Sequence, residues 1–188
     1  MDAVRIFVAV AVNVTPELVT LSEELSHRPA RTTHPDDLHI TLKFVGDVPV
    51  ATIPELREIV DEAADDLGTL TIDLVGLRTF GHPQQAEVLW VGIEPSQQIV
   101  SMASRLDRKL STVGIATETR TFQPHITVAY LSSTPKDGSE SSTVAALLAK
   151  NETTRYGTTT TGPVSLFRSR FLDSSSKNAQ PRYAVLER

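Results

Sequence analysis

Apolar positions in this chain recur with two different periods, and the change from one to the other divides it into strands and helices. "VRIFVAVAV" at 4–12 is a β-branched run that reads as a buried strand. Thr15-Pro16-Glu17 then signals a helix start, with Thr15 as N-cap and Pro16 in the first turn. Leu18, Leu21 and Leu25 form the apolar stripe of that helix. A second strand runs from His39 to Val45 and closes at Gly46-Asp47. Thr52-Ile53-Pro54-Glu55 opens another helix, with Leu56, Ile59, Val60 and Ala63 on one side. "TLTIDLVGLRTF" at 69–80 returns to alternation, at Leu70, Ile72 and Leu74.

The same order of elements then restarts. "VLWVGI" at 88–93 overlays "RIFVAV" at 5–10, placing Trp90 over Phe7 and Gly92 over Ala9. A helix carrying Ile99, Met102, Leu106 and Leu110 follows, then a strand at His125 and a helix near Thr143–Lys150. Pro135 stands ten residues after His125, as Pro49 does after His39. Two β-rich segments, 155–171 and 181–187, finish the chain around the polar loop "DSSSKNAQP". The expected fold is α+β, with two pseudo-symmetric lobes of duplicated strand-helix-strand-helix units. Their antiparallel-rich sheets face a central cleft. The whole of 1–188 forms one bilobal domain, with halves of about 4–80 and 87–150 and C-terminal strands within 155–188.

Both halves contain one polar interruption of an apolar strand, His-Ile-Thr, at "HITLKFVG" and "HITVAYL". Side chains two apart on a strand share a face, so His39 and Thr41 point together, with Ile40 and Leu42 behind them. His125 and Thr127 do the same, backed by Ile126 and Val128. Strands related by a two-fold would bring all four polar groups into one groove, an arrangement suited to a phosphate. Displacement at a phosphodiester needs a base for the nucleophile and an acid for the leaving oxygen. Imidazole fills either role near neutral pH. The threonine hydroxyls can donate to non-bridging oxygens. Neither site has the His or Cys spacing of a zinc ligand set, so no metal and no cofactor is expected.

Composition narrows the class. There is no cysteine, which removes disulfide frameworks and thiolate metal sites and fits a cytoplasmic location. The apolar run after Arg5 ends at Val12 and Asp2 precedes it, so the start reads as a strand rather than a signal peptide. No apolar run is long enough to span a membrane. The net charge of −5 argues against tracking along a nucleic-acid backbone by bulk attraction. From Arg155 onward, however, Arg155, Arg168, Arg170, Lys177, Arg182 and Arg188 outnumber Asp173 and Glu187, leaving a basic C-terminal region.

"LHITLKFVGDV" with "QPHITVAYL", preceded by "RIFVAV" and "VLWVGI", resembles the RNA 2′,3′-cyclic phosphodiesterases, or 2′-5′ RNA ligases, of the two-histidine phosphoesterase superfamily. The resemblance runs from about residue 4 to 131. It implies a two-lobed α+β fold and metal-free opening of cyclic phosphates, on RNA ends or small nucleotides, to 2′-phosphomonoesters. It also implies His39 as general acid, His125 as general base, and Thr41 and Thr127 as phosphate ligands. The family commonly has Arg five residues after the second His; here Tyr130 stands there, keeping a donor but losing the charge. Arg168 or Arg170 are candidate replacements. Lys43, by parity, and Phe7 and Trp90, by their rings, are further candidate substrate contacts. His27, His34 and His82 read as surface residues, and a monomer is expected. Two alternatives stay open. One is a phosphodiesterase, or ligase, acting on another small cyclic or 2′-5′-linked nucleotide; the other is a non-catalytic nucleotide- or RNA-binding module.

Overall fold

In a computed structural model of the chain, the two His-Ile-Thr segments lie on strands that face each other. The described residues are 2–28, 30–65, 67–83, 86–131, 139–171 and 181–186, without the side chains at 139–142, 170, 171 and 181. Expectations for Pro135, Asp173, Lys177, Glu187, Arg188, the "DSSSKNAQP" loop and the Arg170 side chain fall outside them.

The order is β1 (Ala3–Val12), α1 (Pro16–Ser26), β2 (Ala30–Thr32), β3 (His39–Pro49), α2 (Ile53–Ala64), β4 (Thr71–Thr79), β5 (Val88–Glu94), α3 (Gln97–Ser111), β6 (His125–Leu131), α4 (Ser139–Lys150), β7 (Arg155–Phe171) and β8 (Pro181–Val185). The class is α+β and every strand pairing is antiparallel. The strands run β2-β6-β5-β4-β7-β1-β3, with β8 also on β7. Strand β7 is the hinge of this arrangement. Its first residues pair with β4, from Arg155 to Thr160, and its later ones with β1, from Thr161 to Arg168. One long strand therefore belongs to both sheets.

The helix stripes read from periodicity are the buried ones. Leu18, Leu21 and Leu25 in α1, and Ile99, Met102, Leu106 and Leu110 in α3, are all buried. Each contributes about 1.5–3 kcal/mol by leaving water. Thr15 caps α1 as expected, accepting from the Leu18 amide at 3.2 Å, and it also donates to the Tyr156 carbonyl at 2.6 Å. The helices cross between halves: α3 backs β3, and α1 backs β2 and β6. One continuous apolar core joins the helices to both sheets. A second, smaller cluster of Phe7, Ala9 and Phe167, with Tyr183 against it, lies on the opposite face, in the cleft. Among the described residues no helix is long and apolar enough to cross a membrane.

Candidate active site

Pairing register sets which side chains enter the cleft, because directly opposed residues share a face. His39 and Thr41 oppose Ala11 and Ala9, and Ala9 belongs to the cleft cluster. His125 and Thr127 oppose Gly92 and Trp90. Gly92 leaves no room for a side chain, since a Cβ there would lie 2.7 Å from the Val75 carbonyl oxygen. The overlay of Phe7 with Trp90 is thus displaced by two residues from the true register: Ala9, not Phe7, occupies the position equivalent to Trp90. A two-residue slip preserves strand parity, so hydrophobic pattern alone cannot detect it.

Both motif strands carry a β-bulge at the same place. The register of β3 skips Leu42 and that of β6 skips Val128, in each case the third residue after the histidine. A bulge adds one residue and reverses the parity of the strand beyond it. Lys43 therefore does not share the face of His39, which corrects the expectation of a substrate contact. It opposes core-facing Val8, is buried, and binds the Asp107 carboxylate and the Ala116 carbonyl behind the sheet. The same reversal brings Phe44 and Tyr130 onto the cleft side, opposite Phe7 and Val88.

The two imidazoles are held identically. Nδ1 of His39 donates to the Asp37 carbonyl at 2.6 Å, and Nδ1 of His125 to the Gln123 carbonyl at 2.8 Å. A carbonyl only accepts, so each neutral ring carries its proton on Nδ1 and presents the Nε2 lone pair. The rings are near enough for a charge on His125 to disfavour one on His39. Burial is the largest influence on both and pushes each pKa below 6.5. At His39 the Asp37 carbonyl and carboxylate oppose that effect; at His125 only the Gln123 carbonyl does.

The walls around the two rings differ. His39 packs edge-on against Tyr183 at 4.7 Å and over Phe7 at 5.1 Å. Behind it the buried Asp37 carboxylate meets Arg182 at 2.7 Å. His125 packs edge-on against Phe80 at 4.9 Å and lies 5.5 Å from Trp90. Phe7 and Trp90 are themselves buried, at 4% and 2% exposure, and offer no open face for stacking. Burial of the Tyr183 hydroxyl is the main reason its pKa is raised, and that hydroxyl reaches the Tyr130 hydroxyl at 3.4 Å.

The structure adds residues the sequence did not single out: Asp37, Tyr183, Phe80 and Arg31. Arg31 opposes Tyr130 across β2 and β6, with its guanidinium 5.3 Å from the Tyr130 ring centroid. Arg168 opposes core-facing Ile6, which puts it on the face away from the cleft. His27, His34 and His82 are exposed, as expected; His34 caps the short turn that carries Asp37. Among the described residues no three His, Cys, Asp or Glu side chains converge as metal ligands.

Paired His-x-Thr strands facing one cleft, on two antiparallel sheets joined through a shared strand, define the two-histidine phosphoesterase class. Residues 10–160 match the model of the 2′-5′ RNA ligase superfamily, and the chain belongs to that family. Among curated proteins, it is 32% identical over 105 residues to an RNA 2′,3′-cyclic phosphodiesterase of Geobacillus stearothermophilus, covering 55% of this chain and 33% of that one. A protein of the same name from Aeropyrum pernix is 30% identical over 115 residues, covering 60% and 64%. The matched stretch thus spans less than two thirds of either relative. A crystal structure of a Thermus thermophilus protein shares the fold with a TM-score of 0.74, at 21% identity, covering 97% of this chain and 95% of that one. Escherichia coli LigT crystallised with 3′-AMP gives 0.65, at 19% identity, covering 99% and 97%.

Proposed function

We propose that this protein opens 2′,3′-cyclic phosphates at RNA ends or on small nucleotides, without a metal, leaving 2′-phosphomonoesters. The observation that carries the reading is the matched pair of imidazoles, each tethered at Nδ1 and each offering Nε2 to one cleft. In this mechanism water attacks phosphorus as Nε2 of His125 takes its proton. The P–O3′ bond breaks, and protonated Nε2 of His39 gives a proton to the departing 3′-oxygen. Asp37 supports the assignment, because its carboxylate and carbonyl both favour an imidazolium at His39, whereas the Gln123 carbonyl favours one at His125. Thr41 and Thr127 donate to the non-bridging oxygens. Arg31, laid against Tyr130, supplies positive charge at the edge of the cleft. The name carried by the curated relatives agrees with this chemistry.

Tyr130 favours a second reading within the same chemistry, a phosphodiesterase for another small cyclic or 2′-5′-linked nucleotide. Incubation with nucleoside 2′,3′-cyclic phosphates, oligonucleotides ending in a cyclic phosphate, and 2′-5′-linked dinucleotides distinguishes them. The first reading requires release of 2′-phosphate, with no 3′-phosphate, from the cyclic substrates.

A further inference from the structure

Two histidines held alike by their backbones have to be made unequal before one gives a proton and the other takes one. The motif strands do not supply that difference, since each ring is tethered at Nδ1 by the carbonyl two residues upstream. The side chain of the upstream residue does differ. It is the carboxylate Asp37 beside His39 and the neutral amide Gln123 beside His125. Strand β8 holds that carboxylate. Nε of Arg182 stands 2.7 Å from Oδ2, close enough for an ion pair though not aligned as a hydrogen bond. The Tyr183 amide donates to Oδ1 at 3.4 Å, and the Tyr183 ring meets His39 edge-on at 4.7 Å. The Asp37 side chain is 4% exposed and that of Arg182 39%, so the cation reaches a buried anion from the surface. Strand β8 pairs with β7 in the sheet that carries His39, and it follows both His-Ile-Thr units in the chain.

We propose that β8 makes the two histidines unequal, with Arg182 a positioning residue that fixes the Asp37 carboxylate beside His39 alone. The inference rests on the acid–base reading of the cleft given above and adds the element that sets the two roles apart. The carboxylate favours the imidazolium at His39. Arg182 compensates the buried charge, so the imidazolium is not its sole partner and the proton stays transferable. The other charged or titratable groups facing Asp37 are Arg31 from β2, His34 from its own turn and Tyr130 from β6. They surround a cavity of about 10 Å³, room for one water. His125 lies across the cleft from His39. All of these stay in place when Asp37 or Arg182 alone is replaced.

Nitrogen–proton NMR titration of both imidazoles in the full chain tests this without relying on turnover. Asp37→Asn keeps the shape and the carbonyl tether. It should lower the His39 pKa, reducing the fraction of that ring protonated at pH 7 about tenfold. Arg182→Met should move the same ring the opposite way, because it leaves the carboxylate to the imidazolium alone. Arg182→Lys should titrate like wild type, since the contact depends on charge rather than on a guanidinium fork. His125 should be unmoved in all three. Damage to the fold would not shift one ring in opposite directions, so the two signs separate positioning from a structural role. Shifts of the same sign in Asp37→Asn and Arg182→Met, an unmoved His39 in Asp37→Asn, or an equal shift at His125 would each overturn the assignment. The expected shifts with no turnover of any cyclic phosphate would sink the hydrolytic reading and leave the role of β8 standing.

Discussion

The carbonyl oxygen of Asp37 lies 2.6 Å from Nδ1 of His39, and the Asp37 carboxylate is held by Arg182 at 2.7 Å. Backbone and side chain of one residue thus fix both the orientation of the imidazole and the charge behind it. Gln123 repeats the backbone half of this arrangement at His125, at 2.8 Å, without the carboxylate. Both neutral rings should therefore be Nδ1–H tautomers with Nε2 unprotonated. Long-range nitrogen–proton NMR correlations at pH 8 would show this pattern for both; an Nε2–H pattern at either would break the proposed geometry.

The pH dependence follows from burial. The reaction needs one protonated and one neutral imidazole, so kcat/KM is low below both apparent pKa values, where no base remains. It is low again above both, where no acid remains. Burial is the first cause that lowers each ring's pKa below 6.5, so the bell-shaped profile of the free enzyme should peak on the acidic side of 6.5. A maximum at pH 7.5 or higher would show that the rings are not desolvated as described.

Arg31 provides a test of where the positive charge lies. Arg31→Met should raise KM for a cyclic phosphate about tenfold, the loss of one hydrogen bond to a charged group at roughly 1.5 kcal/mol. Adding Tyr130→Arg in that background should recover most of the loss, because Tyr130 lies directly opposite on β6. Steady-state KM values of the single and double variants decide it, and no change in the single variant would remove Arg31 from the site.

Lys43 should affect stability rather than chemistry. Its ammonium is buried against Asp107 and the Ala116 carbonyl, so Lys43→Met strands a carboxylate that is itself only 23% exposed. The expected cost is about 1–3 kcal/mol in denaturant unfolding, with KM unchanged. The Lys43 hydrogen bond is the largest cause lowering the Asp107 pKa from 3.8. A depressed carboxyl pKa gives stability that is present above the unfolded value and lost as pH falls through the folded one. The variant should therefore lose less stability than wild type on acidification below about pH 4.

Much of this architecture is legible in the chain. The stripes of α1 and α3 are legible because periodicity reports burial directly. The shared face of His39 with Thr41, and of His125 with Thr127, follows from strand parity, which holds up to the third residue of each motif. It fails there because a bulge is a choice of backbone pairing, and neither Leu42 nor Val128 differs in type from an ordinary strand residue. That single feature misplaces Lys43 and brings Phe44 into the cleft. Strand β2 has only three residues, too few for any period to register, so the position of Arg31 beside Tyr130 is not legible either. Asp37 acts on His39 through its carbonyl as well as its carboxylate, and the backbone half of that role leaves no mark on residue type.

The most direct measurement is kcat/KM for a nucleoside 2′,3′-cyclic phosphate in excess EDTA, compared among wild type, His39→Ala and His125→Ala. Two imidazoles acting as acid and base predict an undiminished wild-type rate, with each alanine variant slower by at least about 10²-fold. A substrate whose 3′ leaving group is an activated phenolate should restore His39→Ala and leave His125→Ala inactive. Wild-type activity that disappears in EDTA and returns with a divalent cation, or full activity in either alanine variant, would contradict the two-histidine mechanism.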